Sequence, residues 1–263
     1  MADRFTHAGG RRVAVDGARL WVEEIGRADG PPVLLLPGGL GTINDFDPLT
    51  PHLAPHARLI GLDSRGHGGS TLGATPLGYA RLAADVAAVA EALDLDGVTI
   101  LGFSDGAITG LRLAAARWPR LKSLATIGAT WRLLPDDPVE GLIGGITPES
   151  YRAQFPESWE IYHAANPEPD FAGLIEQIRG LWLDRGPDGY PGETVRDIAC
   201  PVLLMRGDRD PFASRGETMA LADRIADSRL LNLAYAGHGL HVDAPELAAG
   251  MLCRFLMETA PGS

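Results

Sequence analysis

Residues 98–116 read VTILGFSDGAITGLRLAAA, and the hydrophobic pattern changes in the middle of this segment. The first six residues are mostly apolar, as in a buried strand, whereas residues 107–116 have helical periodicity. Between them lies Gly102-Phe103-Ser104-Asp105-Gly106, a G-x-S-x-G pattern in which flanking glycines allow a tight turn. Such a turn exposes the serine hydroxyl at the carboxyl edge of the sheet, where ligands bind in open α/β folds. The pattern predicts that Ser104 is a nucleophile.

Short apolar runs and helix-period segments alternate on both sides of this turn. Apolar runs without polar alternation are typical of parallel strands that helices cover on both faces. The predicted strands are Pro32–Pro37, Arg58–Asp63, Val98–Phe103, Leu121–Gly128 and Pro201–Arg206. The predicted helices are Pro76–Leu93, Asp105–Arg117, Ser214–Asp227 and Ala244–Met257, after a hairpin of Arg12–Asp16 and Arg19–Glu24. The alternation predicts an α/β fold with a mostly parallel, doubly wound sheet.

The alternation stops between residues 131 and 196. This segment is rich in proline and glycine, yet it contains three of the five tryptophans, Trp131, Trp159 and Trp182. We interpret it as a small helical lid over a core formed by residues 1–130 and 197–263, with an ordinary surface excursion as the alternative. Trp131 and Trp159 are predicted to contact a substrate in an apolar pocket.

A serine hydroxyl needs a base, and the sequence contains seven histidines. His238 follows the strand-like run LLNLAY and lies between two glycines in Ala236-Gly237-His238-Gly239-Leu240-His241. A loop at this point reaches the same sheet edge as Ser104, so His238 is the predicted base and His241 is expected to be a packing residue. Four others, including His7, lie in polar surroundings and are expected at the surface.

The base needs a carboxylate to orient it, and an oxyanion needs two N–H donors. Asp210 follows the strand PVLLM in Gly207-Asp208-Arg209-Asp210-Pro211 and is the predicted carboxylate, with Asp208 as the alternative. The chain order Ser, Asp, His is the order expected for this fold. The predicted oxyanion donors are the backbone N–H groups of Asp105 and Gly39.

Composition limits the classes of function. The net charge is −11, from 23 Lys plus Arg against 34 Asp plus Glu, which argues against nucleic acid and anionic membranes as partners. The amino terminus has no apolar core of a secretory signal, and Cys200 and Cys253 are expected to be unpaired, so cytoplasmic location is the expectation. No metal or cofactor is predicted. The expected partner is a small-molecule substrate, and the oligomeric state is left open, a homo-oligomer included.

These motifs resemble the α/β-hydrolase superfamily over nearly the whole chain. The matching elements are the PGG turn at 37–39, the DxRGxGxS stretch at 63–70, the elbow at 102–106, GDRD at 207–210 and GH at 237–238. Within the superfamily, GFSDGAITG, IGAT and GHGLH resemble the valacyclovir hydrolase-like branch. One departure is Pro37-Gly38, where many members have His-Gly, but the backbone donors survive this change.

The resemblance implies a carboxylic ester hydrolase, with α-amino esters as one candidate class. In that branch the acidic residue after the nucleophile is associated with the substrate's ammonium group, and Asp105 matches it. The alternative is that Asp105 only caps the helix that it begins. Three functions stay open: an esterase, a cofactor-free haloperoxidase, oxygenase or C–C bond hydrolase on nearly the same residues, and a ligand-binding protein without turnover.

Overall fold

The computed structural model describes residues 4–137 and 139–259. The strands are β1 (Arg11–Val15), β2 (Ala18–Gly26), β3 (Pro32–Leu36), β4 (Arg58–Leu62), β5 (Val98–Phe103), β6 (Leu121–Ile127), β7 (Val202–Gly207) and β8 (Ser228–Leu233). The helices are α1 (Thr50–Leu53), α2 (Tyr79–Ala92), α3 (Asp105–Ala115), α4 (Val139–Gly144), α5 (Pro148–Gln154), α6 (Pro156–Ala165), α7 (Phe171–Trp182), α8 (Arg215–Ala222), α9 (Leu240–Asp243) and α10 (Pro245–Glu258). Short 3₁₀ turns lie at Ile43–Phe46 and Gly192–Asp197.

The strands form one sheet in the order β1-β2-β4-β3-β5-β6-β7-β8. The β1–β2 and β2–β4 pairs are antiparallel, and all pairs from β4 to β8 are parallel. In the centre, Leu34 pairs with Ile100 and Leu36 with Gly102, so β3 and β5 end side by side. The predicted α/β fold with a mostly parallel sheet is confirmed, and the chain turns that follow β3, β5 and β7 lie at one edge.

Two apolar cores cover the two faces of the sheet, as the unbroken hydrophobic strands require. On one face α2 and α3 bury residues such as Val89 and Leu111 against the central strands. On the other face Phe46 and the α10 residues Leu252 and Phe255 pack on the opposite side. Truncating a leucine in either core to alanine should cost about 2–5 kcal/mol.

Two glycines let α3 lie unusually close to the sheet. A Cβ on Gly106 would overlap the carbonyl oxygen of Leu36, and one on Gly110 would lie 2.6 Å from Cδ1 of Leu124. Because no side chain separates the helix from β3 and β6 here, the start of α3 is fixed against the sheet edge. This packing sets the position of Ser104.

Helices α4 to α7 lie between β6 and β7 and form a third apolar cluster. Their buried side chains, among them Tyr151 and Ile178, pack with Leu40, Tyr79 and Ile108 from the core. The inserted helices therefore sit against the turn after β3 and the beginnings of α2 and α3. Within the described residues, no helix is both long and apolar enough to cross a membrane.

Candidate active site

Ser104 lies between β5 and α3 in a strained backbone conformation. Its φ is +50° and its ψ is −113°, a region that residues with a side chain rarely adopt. The backbone N–H of Ser104 donates to the carbonyl of Ile127 at 2.8 Å, and that of Gly106 donates to the carbonyl of Pro37 at 3.1 Å. These bonds hold the turn on both sides, as expected for a serine presented at the sheet edge.

His238 lies in the turn between β8 and α9, against the elbow. Its ring packs on Phe103, with ring centroids 5.0 Å apart, and on Phe212 at 4.7 Å. Nδ1 of His238 lies 2.9 Å from Oδ2 of Asp210. Because an ionised carboxylate only accepts, the imidazole donates through Nδ1, and Nε2 is left to accept a proton.

Asp210 is held on both carboxylate oxygens. Its Oδ1 accepts the backbone N–H groups of Phe212 at 2.8 Å and Ala213 at 3.0 Å, while Oδ2 faces His238. Burial would raise the pKa of Asp210, but the hydrogen bond and charge of His238, with those two N–H groups, hold the pKa below its ordinary value. Asp210 is thus an ionised partner for the imidazole.

The two alternative residues have other surroundings. Asp208 contacts Arg215 and Asn232 at the surface. His241 is fully buried, donates from Nε2 to the carbonyl of Asp45 at 3.0 Å, and has its pKa lowered to about 4 by burial. A histidine that stays neutral and is bonded to the backbone is a packing residue, as the sequence predicted.

Ser104 and His238 share the same sheet edge but are not hydrogen-bonded to each other. In the described part of the chain, Oγ of Ser104 has no hydrogen-bond partner, whereas Phe103, its neighbour in sequence, touches the imidazole. Bonds between a nucleophile and its base often tighten only when substrate binds. The structure thus pairs His238 with Asp210 and packs the imidazole against the residue before Ser104.

The turn after β3 faces the elbow. A Cβ on Gly38 would lie 3.3 Å from Cβ of Ser104, and one on Gly39 would lie 2.5 Å from Oδ2 of Asp105. Among the described residues, the backbone N–H groups of Gly39 and Asp105 have no acceptor, whereas the neighbouring Gly41 N–H donates to the carbonyl of Gly38 at 3.1 Å. Two unpaired donors beside a candidate nucleophile are what an oxyanion site needs.

The carboxylate of Asp105 points to the inserted helices. Its Oδ1 accepts from the hydroxyl of Tyr79 and from Nε1 of Trp182, both at 2.8 Å, and Nε1 also lies 2.9 Å from Oδ2. The residue is 4% exposed, and burial raises its pKa to about 6, although the two donors and the charge of His238 oppose the rise. Its side chain bonds no helix N–H among the described residues, so the capping alternative is wrong.

Of the two tryptophans predicted to contact substrate, Trp131 is placed elsewhere. It is 1% exposed, belongs to the core on the α2–α3 face, and donates from Nε1 to the carbonyl of Glu217 at 3.2 Å. The prediction that Trp131 contacts a substrate is therefore not supported, because its side chain is buried in the core although the residue begins the insertion. Trp159 packs in the third cluster against Phe171, and its role stays a prediction.

Trp182 is the site residue that the sequence did not single out. It ends the amphipathic pattern FAGLIEQIRGLW, where a tryptophan is ordinarily a packing residue.

In residues 4–137 and 139–259, no group of three or more His, Cys, Asp or Glu side chains is arranged to hold a metal ion.

Comparison with known proteins agrees with this geometry. The family profile described as the alpha/beta hydrolase fold matches residues 31–142. The mouse "Serine hydrolase BPHL" is 30% identical over 241 residues, which are 88% of this chain and 80% of that protein. The "Putative carbamate hydrolase RutD" of Azorhizobium caulinodans is 26% identical over 247 residues, 87% of this chain and 92% of that one.

A solved structure extends the similarity to three dimensions. The crystal structure of a hydrolase from Pseudomonas aeruginosa PA01 superimposes with a TM-score of 0.76 at 26% identity, covering 95% of this chain and 98% of that chain. The relatives are enzymes named as hydrolases, and the match extends over nearly the full length of both chains. The chain therefore belongs to the α/β-hydrolase family and lies near its branch of valacyclovir hydrolase-like serine hydrolases.

Proposed function

We propose that this protein cleaves a small carboxylic ester through Ser104, His238 and Asp210, with an acyl-enzyme intermediate. The observation that carries the proposal is the 2.9 Å hydrogen bond between Asp210 and His238 at the edge where the strained turn exposes Ser104. Their chain order and placement at strand ends are those of the α/β-hydrolase arrangement. The names of the mouse serine hydrolase and the carbamate hydrolase support attack on an ester-like carbonyl.

The reaction follows from these positions. Nε2 of His238 accepts the proton of Ser104 as Oγ attacks the ester carbonyl, and the imidazolium is stabilised by Asp210. The N–H groups of Gly39 and Asp105 bind the oxyanion, and His238 returns its proton to the departing alcohol. Water then attacks the acyl-enzyme with His238 again as base, which releases the acid and restores Ser104.

A preference for α-amino esters depends on Asp105. A carboxylate about 4 Å from an ammonium group gains on the order of 4 kcal/mol at an effective dielectric near 20, before desolvation. Tyr79 and Trp182 already donate to this carboxylate, so an ammonium group would share it with these two donors. Asp105→Ala should then lower kcat/KM more for amino esters than for neutral esters; equal losses for both classes remove the preference.

The test of the main proposal is hydrolysis of short p-nitrophenyl esters by the wild type and Ser104→Ala. We expect turnover in the wild type and a loss of several orders of magnitude in the variant, with unchanged thermal stability. A fluorophosphonate probe should label the wild type at Ser104, as mass spectrometry would show. Equal turnover by both proteins would remove Ser104 from the mechanism.

A further inference from the structure

Both residues proposed to form the oxyanion hole are held by the inserted helices. On one side, the hydroxyl of Tyr151 in α5 donates to the carbonyl of Leu40 at 2.7 Å, one residue after Gly39. On the other side, Nε1 of Trp182 at the end of α7 donates to the carboxylate of Asp105 at 2.8 and 2.9 Å. Each of the two donors thus belongs to, or lies next to, a residue that is bonded to the inserted helices α4 to α7, which we call the cap.

The turn that contains Gly39 depends on such support. Leu40 has a φ of +63°, a left-handed conformation that is unfavourable for leucine. The bond from Gly41 to Gly38 closes the turn, but the carbonyl of Leu40 is outside that bond and accepts only from Tyr151 among the described residues. Without this hydroxyl, the buried carbonyl loses its partner and the turn can relax to a less strained backbone.

Trp182 touches both halves of the hole. Besides its bond to Asp105, its ring lies so close to Gly39 that a Cβ there would be 2.6 Å from Cζ2 of the indole. The ring therefore limits the position of the Gly39 backbone while the indole N–H fixes the Asp105 side chain. The Trp182 side chain thus constrains both donors, Gly39 in the turn after β3 and Asp105 in the turn after β5.

We propose that Tyr151 and Trp182 are positioning residues that set the geometry of the oxyanion hole, so that seating of the inserted helices and transition-state stabilisation are coupled. This inference rests on the proposed ester hydrolysis. Neither side chain is required to touch the reacting atoms. Misplacing one donor weakens binding of the oxyanion, which forms only in the transition state, more than binding of the ester itself.

The experiment compares Tyr151→Phe and Trp182→Phe with matched variants of the same cluster. Tyr162→Phe removes a buried hydroxyl that accepts the backbone N–H of Asp170 within the insertion, and Ile178→Val removes a methyl group from a buried side chain of α7 that forms no hydrogen bond. For Tyr151→Phe and Trp182→Phe we expect kcat to fall about 10–100-fold while KM changes less than about threefold. This loss of kcat is smaller than the roughly 10²–10³-fold loss that is typical when an oxyanion-hole donor is deleted. The Ki of a trifluoromethyl ketone, whose adduct contains an oxyanion, should rise by the same factor as kcat falls. The control variants should change neither quantity.

Three results distinguish the possibilities. If Tyr151→Phe and Trp182→Phe have the same kcat and Ki as the controls, the cap only packs against the core and the inference is overturned. If KM rises while kcat and the ratio of Ki to KM are unchanged, the cap only controls access of the substrate, and the inference is again overturned. If Ser104→Ala retains esterase activity, the proposed function fails instead. The rate of fluorophosphonate labelling at Ser104 gives a second measure of the hole that needs no ester turnover, and a rate unaffected by Tyr151→Phe also overturns the inference.

Discussion

Replacing Asp105 by asparagine should change how the stability of the protein depends on pH. The asparagine side chain keeps an oxygen that accepts from Tyr79 and Trp182 but carries no charge. In the folded protein, burial raises the pKa of Asp105 from 3.8 to about 6, and a shift of this size corresponds to about 3 kcal/mol. The folded state therefore binds this proton more tightly than the unfolded state does.

The sign follows from linkage. Because the folded pKa is raised, the contribution of Asp105 to stability is fully present below pH about 4 and is lost as the pH rises through about 6. An uncharged amide at this position has no such loss. The free energy of unfolding of Asp105→Asn, minus that of the wild type, should thus increase by about 3 kcal/mol between pH 4 and pH 8.

Urea denaturation followed by circular dichroism at several pH values measures this difference. Asp208→Asn is the matched control, because the hydrogen bond from Arg215 lowers the pKa of that partly exposed carboxylate. Its small contribution to stability is therefore lost as the pH falls, with the opposite sign. If the free energy of unfolding of Asp105→Asn minus that of the wild type stays constant or decreases towards pH 8, the folded protein does not raise the pKa of Asp105.

Three further changes have defined outcomes. Asp210→Asn should lower kcat for a small ester about 10⁴-fold, because an amide does not hold the tautomer of His238. Steady-state kinetics on a variant whose thermal unfolding is unchanged would measure this loss, and a loss of kcat under tenfold would contradict the prediction. Gly128→Ala should also lower kcat, since its Cβ would lie 2.7 Å from Cε1 of the same imidazole at a φ of +64°; unchanged turnover would count against this packing. Arg65→Ala should cost about 3–5 kcal/mol in urea denaturation, because it leaves the buried carboxylate of Asp85 without its partner, and a cost near zero would refute that.

Much of the fold was predictable because its signals are local. The central strands were placed to within one or two residues, since each is a short apolar run bounded by turn residues, and β5 has the predicted bounds Val98–Phe103. The same locality makes Ser104, Asp210 and His238 candidates, since each of them follows a strand closely. Parallel strands then bring their carboxyl ends to one edge without further information.

The errors concern contacts between residues distant in sequence. His7, in a polar stretch, was expected at the surface, yet its Nε2 lies 2.7 Å from Oδ2 of Asp63 in a mostly buried pair. Burial opposes protonation of His7, but the bond to Asp63 raises its pKa above the ordinary value. Trp131 is buried in the core, whereas Trp182, for which the sequence predicts no role, contacts Asp105. The sequence shows which residues are inserted but not which face of the insertion meets the elbow.

The position of Asp105 is compatible with a carboxylate next to the proposed oxyanion hole. As the first residue of α3, it has a backbone N–H that is free at the helix start, where the helix dipole favours negative charge. Its side chain leaves the helix sideways, towards Tyr79 and Trp182. The hydrogen bonds from these donors offset part of the charge that the carboxylate would direct at an oxyanion, while burial raises its pKa to about 6. In the proposed mechanism, one residue therefore offers a donor to the reaction through its backbone and accepts from Trp182 of the inserted helices through its side chain. This dual attachment is the basis of the proposed coupling between the seating of these helices and catalysis.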